Sequence, residues 1–258
     1  MKKGLSMLLA AALCAGTLAG CGAAAEETGA GSASAFKIGG TTPLTGAAAI
    51  YGNAVKNGAQ IAVDEINAEG GAIQFELKFE DDESDPEKAV SAYNALKDWG
   101  IQLSLGATTT KPCEAISTEH FSDRIFGLTP TASSPAVIEG KDNFFQMCFS
   151  DPNQGLASAQ YIAEQQLGEK IFIIWKSDDN YSTGIKDKFM AEADKLGLNV
   201  VGNATFTTDS QNDFNVQLTQ AKQAEADLLF LPIYYEPASL ILSQAKACLL
   251  YTSDAADE

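Results

Sequence analysis

Residues 171–201 read IFIIWKSDDNYSTGIKDKFMAEADKLGLNVV, and this stretch decides the fold class. Ile171 to Trp175 is a continuous apolar run, which predicts a strand buried on both faces. Ser177-Asp178-Asp179-Asn180 breaks the run, and Tyr181 to Leu196 reads as a helix. Val200-Val201 then opens a second short strand. Strand, helix and strand in this order predict a parallel βαβ unit, the building block of an α/β fold.

The alternation extends both ways. Toward the C-terminus, Phe214 to Ala224 reads as a helix, Leu228 to Ile233 as another buried strand, and a last helix opens near Pro237. Toward the N-terminus, Phe36 to Gly40 is a short strand ending in glycines, and Val55, Ala59, Ala62 and Ile66 recur at helical spacing until Gly70-Gly71. Ile73, Phe75, Leu77 and Phe79 alternate with polar residues, as in a half-exposed strand. Asp85-Pro86 starts a helix, with Asp85 as N-cap, Ala89, Tyr93 and Leu96 as its buried face and Gly100 as its end. Strands follow at Ile101 to Leu105, Ile125 to Leu128 and Phe144 to Phe149, with a helix opening near Pro112 and another over Gly155 to Leu167. Ser150-Asp151-Pro152-Asn153 interrupts two periodic segments, so a boundary between units 36–150 and 151–247 is expected there.

The chain has 258 residues, 45% of them hydrophobic, enough for one large domain or two smaller ones. With 17 Lys+Arg against 34 Asp+Glu the net charge is −17, which argues against nucleic-acid binding. One histidine, His120, makes histidine metal sites and Ser-His-Asp triads improbable. The phosphate loops GxxxxGK[ST] and GxGxxG after a strand are absent, and no nucleophile–base pair is evident. The acidic run Glu80 to Asp85 lacks EF-hand spacing and its glycine, and reads as a strand end followed by a helix cap. The expectation is a binding protein rather than an enzyme, with no cofactor and no metal.

Both ends read differently from the middle. Residues 1–21 have a Lys2-Lys3 n-region and an apolar Leu5 to Leu18 stretch, as a signal peptide does. That segment closes on Leu18-Ala19-Gly20-Cys21, similar to a bacterial lipobox, so Cys21 is expected to carry lipid. Residues 22–35 read as a flexible Gly/Ala/Ser/Glu tether. Residues 248–258, Cys248 to Glu258, resemble one translated frame of a transposon sequencing adapter, and the natural chain is expected to continue past Ala247. An incomplete second unit is expected to expose apolar surface near Leu228 to Ile233. Of five cysteines, Cys113 and Cys148 then remain, and in an exported protein these two are a possible disulfide.

In open α/β sheets a ligand sits beyond the carboxyl ends of the strands. The segments there are Thr41 to Gly46 leading to Tyr51, Gly106 to Thr110, Thr129 to Pro135, Ser150-Asp151, Ser177 to Tyr181 and Tyr234-Tyr235. Hydroxyls and helix N-terminal amides suit a carboxylate. An acidic residue and tyrosines opposite would suit an ammonium group. Each hydroxyl cluster taken alone is better explained by capping and turn chemistry than by a binding role.

Several of these pieces lie in one order: Pro43-Leu44-Thr45-Gly46 with Tyr51-Gly52, Asp64-Glu65-Ile66-Asn67 before Gly70-Gly71, and Asp81-Asp82 with Asp85-Pro86. Thr129-Pro130-Thr131-Ala132-Ser133, Asp151 with Gln154-Gly155, and Tyr181 with Gly184 follow. Together, over Phe36 to Ala247, they resemble the branched-chain amino-acid (Leu/Ile/Val-type) substrate-binding proteins of ABC transporters. That resemblance implies a type I periplasmic-binding-protein fold: two Rossmann-like lobes with parallel sheets, the second incomplete here. It implies an exported, lipid-anchored protein that closes on an amino acid and delivers it to permease and ATPase subunits. The family's carboxylate-binding hydroxyl falls among Thr108, Thr109 and Thr110, and a second carboxylate contact falls on Ser133. A carbonyl contact falls on Thr131, cleft aromatics on Tyr51, Tyr181 and Tyr234, and an ammonium partner on Asp151. Ser84 replaces a family disulfide cysteine, and a further acidic ligand would lie past Ala247. A sensory ligand-binding module is the alternative, and urea, amides and aromatic acids also bind relatives of this fold.

Overall fold

The computed structural model describes residues 35–247. The signal segment, Cys21, the tether up to residue 34 and the 248–258 tail lie outside the described residues. The first lobe runs β1 (Phe36–Thr42), α1 (Ala49–Ala68), β2 (Phe75–Asp81), α2 (Pro86–Trp99), β3 (Leu103–Ser104), α3 (Thr110–Asp123), β4 (Phe126–Thr129) and β5 (Phe144–Gln146). Its sheet has the order β2-β1-β3-β4-β5, with every neighbouring pair parallel. The second lobe runs α4 (Asp151–Gln165), β6 (Ile171–Lys176), α5 (Asn180–Leu196), β7 (Val200–Phe206), α6 (Asn215–Gln223), β8 (Leu228–Phe230) and α7 (Tyr235–Ala247). Its sheet is parallel with the order β7-β6-β8.

Central β6 explains why the 171–175 run is legible. Phe172 and Ile174 face a cluster with Phe206, Phe214, Leu218 and Ile241, while Ile171 and Ile173 face Ala159, Ile162 and Phe189. Each such side chain contributes roughly 1.5–3 kcal/mol by leaving water, so one strand anchors both faces of the lobe. In the first lobe Ala89, Tyr93, Cys113, Ile116, Val137 and Phe144 form the corresponding core between α2, α3 and the sheet. The α2 boundaries follow local chemistry: Asp85 Oδ1 accepts from the Glu87 and Lys88 amides at 2.9 Å, Pro86 follows, and Gly100 closes the helix at φ 91°.

Several expectations need correction. β1 continues through Gly39 and Gly40 to Thr42; these glycines make room, because a Cβ on Gly40 would lie 2.5 Å from the Phe79 ring. β2 starts at Phe75, leaving Ile73 exposed outside it. The α1 face read from Val55, Ala59, Ala62 and Ile66 is not buried: Gly52 and Val63 are, and Ile66 is 47% exposed. β3 and β5 are shorter than their apolar runs, and α4 starts at Asp151 rather than Gly155.

The possible Cys113–Cys148 disulfide is absent: both are free thiols. Cys113 is sealed in the first-lobe core, where burial pushes its thiol up to about 12, while the Cys148 Sγ, beyond edge strand β5, donates to the Ala132 carbonyl at 3.4 Å. Leu228 to Ile233 is not the exposed apolar surface expected, being half-buried apart from the buried Pro232. The large exposed apolar side chains concentrate instead in the first lobe, with Ile50, Ile61 and Ile66 on α1, Phe126 and Phe145 on β4 and β5, and Met147 and Phe149 just after β5. Among the described residues no helix is long and apolar enough to cross a membrane.

Candidate functional site

Because both sheets are parallel, the loops leaving the carboxyl ends of β1, β3 and β4 meet those leaving β6 and β8. Between them lies a cavity of about 150 Å³. Tyr51 reaches it from the first turn of α1, which can approach because residue 52 is glycine: a Cβ there would lie 2.0 Å from the Pro43 carbonyl oxygen. The Tyr51 hydroxyl accepts from the Tyr235 amide at 3.2 Å, linking the lobes.

Thr108 and Thr109 line the cavity from the loop between β3 and α3. Their hydroxyls are engaged inside the first lobe, Thr108 with Thr42 at 2.6 Å and Thr109 with Ser84 at 3.0 Å. Thr131 also lines it, its hydroxyl donating to the Thr108 carbonyl at 2.6 Å. Thr109 is the N-cap of α3 but its side chain makes no capping bond, so first-turn amides are left for another acceptor. One of them, Thr110 N, meets the Tyr234 hydroxyl at 3.4 Å across the lobes. Thr110 itself is not part of the cavity wall, and its buried hydroxyl has no hydrogen-bond partner.

Ser133 lines the cavity after β4, and its carbonyl accepts from the Asp151 amide at 2.9 Å. Asp151 opens α4 and is fully buried just behind this wall rather than on it, with neither carboxylate oxygen hydrogen-bonded. Burial pushes its carboxyl up to about 6; the Ser133 hydroxyl offsets part of this without reaching hydrogen-bonding geometry, and the charges of Asp179 and Glu114 add to it. A buried carboxylate without a partner calls for a cation or a proton. Gly184 makes its position possible, since a Cβ there would sit 3.1 Å from the Asp151 Cβ.

Tyr181, from the first turn of α5, stacks on Tyr234, which follows β8, with centroids 4.7 Å apart and planes 5° apart. Tyr51 tilts against Tyr234 at 5.9 Å. Burial raises the Tyr181 phenol to about 12 and holds Tyr234 well above its ordinary value, so both are neutral hydroxyls at pH 7. Phe149 and Gln154 complete the wall, two residues that the reading of strand-end hydroxyls and tyrosines did not select. Gln154 comes into place because α4 begins early, at Asp151. The structure thus brings Tyr51, Thr108, Thr109, Thr131, Ser133, Tyr181 and Tyr234 onto one wall and leaves Thr110 and Asp151 off it.

The Asp151 carboxyl gives a pH-dependent expectation. Its folded-state value is raised from 3.8 to about 6, so its penalty is full above pH 6 and is relieved as pH falls toward 4. Asp151→Asn removes this dependence. The stability gap between variant and parent is expected to move in the parent's favour by about 1.4 kcal/mol from pH 7 to pH 5. Thermal melts at the two pH values check this; a gap that stays constant would show that Asp151 has an ordinary pKa.

A sequence profile described as "Periplasmic binding protein" matches residues 35–248. The chain belongs to that family. A Leu/Ile/Val-binding protein, BraC3, of Rhizobium johnstonii is 31% identical over 210 residues, covering 80% of this chain and 57% of that protein. A Leu/Ile/Val-binding protein homolog of Brucella melitensis is 32% identical, covering 80% and 56%. The crystal structure of the branched-chain amino acid transporter substrate-binding protein LivJ from Streptococcus pneumoniae, in complex with isoleucine, superposes with a TM-score of 0.78 at 28% identity. That alignment covers 84% of this chain and 62% of the other. The chain therefore spans a little over half the length of these curated relatives.

Proposed function

We propose that this protein captures an amino acid between its two lobes and hands it to the permease of an ABC transporter, without catalysis of its own. The single observation that carries the reading is the pairing of two opposite polarities at one small cavity. On one side are the uncapped N-terminus of α3 and the uncommitted Ser133 hydroxyl; behind the same wall is the unpartnered Asp151 carboxylate, with the Tyr181–Tyr234 stack alongside. The first set suits an α-carboxylate, and the second suits an α-ammonium through charge and cation–π attraction. Branched-chain amino acids are the first candidates, since the relatives named above are Leu/Ile/Val-binding proteins and LivJ holds isoleucine.

In the same reading Cys21 carries the lipid anchor on the outer face of the cytoplasmic membrane, and the natural chain continues past Ala247. The exposed apolar side chains of α1, β4 and β5 support such a continuation, because surface of this kind ordinarily packs against further protein. A thermal-shift panel on the gene's full product tests the ligand class, using single amino acids beside urea, acetamide and benzoate. A rise in melting midpoint with aliphatic amino acids is expected. A rise with an amide or an aromatic acid alone would contradict the amino-acid reading.

A further inference from the structure

A second, larger cavity of about 400 Å³ adjoins the first between the lobes and shares Thr109 and Tyr234 with it. Two half-buried lysines line it, Lys111 from the first turn of α3 and Lys176 from the end of β6, one from each lobe. Neither ammonium makes an ion pair or a hydrogen bond among the described residues; they act on the Asp178 and Asp179 carboxylates only at longer range. The acidic residues on the same wall already have partners inside their own lobes. Glu83 pairs with Lys88 at 2.6 Å, Asp85 caps α2, and Asp179 caps α5 by accepting from the Tyr181 amide at 3.1 Å. Asp178, behind it, accepts from the Thr208 amide and hydroxyl. Asp85 and Asp179 keep their negative charge, and Lys111 and Lys176 are the charged groups on this wall without a contact partner among the described residues. Two helix starts without side-chain caps, those of α1 and α3, end on it through Ala48 and Thr109.

We propose that this second cavity binds a small oxyanion, a carboxylate or a phosphate, held between Lys111 of one lobe and Lys176 of the other. Two like charges presented from opposite lobes resist each other until an anion lies between them, so the anion ties the lobes together. It has two possible sources: a free anion, or the second acidic group of a ligand whose α-carboxylate occupies the adjoining cavity. The latter rests on the amino-acid reading above.

Calorimetry on the gene's full product in an anion-poor zwitterionic buffer separates the sources, using inorganic phosphate, leucine and glutamate as probes. Lys111→Met and Lys176→Met keep the aliphatic stems, and a melting midpoint tracked alongside confirms folding. If the ligand supplies the anion, glutamate binds at least about tenfold more tightly than leucine, and either variant abolishes the difference. If the anion is free, phosphate titrates to saturation, and either variant weakens it by about tenfold or more. No glutamate preference together with no lysine-dependent phosphate binding overturns the proposal. Failure of both amino acids to bind would count against the amino-acid reading instead, and the phosphate titration would still decide this site.

Discussion

Gly155→Ala is expected to lower stability by about 3 kcal/mol or more, the largest effect of any single methyl group in the second lobe. A Cβ at this position would lie 2.2 Å from the Ile185 carbonyl oxygen and 2.8 Å from the Phe189 amide nitrogen, both backbone atoms of α5. Neither can rotate away, so α4 and α5 must separate. These two helices make the most extensive helix–helix contact among the described residues, and α5 carries Phe189, which stacks on Phe230 of β8 at 4.0 Å. The separation therefore reaches the sheet. It also moves the first turn of α4, where Asp151 and Gln154 sit, and the first turn of α5, where Tyr181 sits. Ligand affinity should fall together with the melting midpoint. A variant that melts like the parent would mean that α4 and α5 pack less closely than described.

Ser133→Ala is expected to weaken amino-acid binding roughly ten- to a hundredfold. A charge-assisted bond from a buried hydroxyl to a desolvated carboxylate is worth about 1.5–3 kcal/mol. Ser133 is buried and lies on the cavity wall, and its hydroxyl makes no hydrogen bond within the described residues, its one internal role being to ease the burial of the Asp151 carboxyl nearby. Thr108 and Thr109 differ, because their hydroxyls bind Thr42 and Ser84, and alanine there would also loosen the first lobe. Titration calorimetry of the full product checks the claim; unchanged affinity would remove Ser133 from the site.

What could be read from the sequence was what local chemistry determines. The start and end of α2 are written in Asp85, Pro86 and Gly100, whose effects act within one turn. β6 is written in four consecutive apolar residues, all buried. The α1 burial face was misread because helical periodicity reports which residues could share a face, whereas the packing partner decides which face is covered. α1 approaches its lobe through Gly52 and Val63, and a glycine carries no hydrophobic signal. Gly39 and Gly40 were misread as an end for the same reason, since their function is to leave room for Ile101 and Phe79.

In the site, the rule that ligands gather at strand carboxyl ends found the right loops, and hydroxyls and tyrosines within them found most of the wall. It could not separate Thr109, which lies on the wall, from its neighbour Thr110, which does not. Nor could it foresee that Asp151 would start α4 and lie behind the wall, carrying Gln154 onto it. The resemblance supplied the roles of these residues; their geometry came from the packing of α4 against α5.

The most direct measurement is a crystal structure of the gene's full product grown with isoleucine. The expected density places the amino acid between the lobes, its carboxylate within hydrogen-bonding distance of the Ser133 hydroxyl and the α3 amides, and its ammonium on the side of Asp151 and Tyr181. Isoleucine bound elsewhere, or a cleft closed over nothing with Asp151 still unpartnered, would contradict the assignment of this cavity as the amino-acid site.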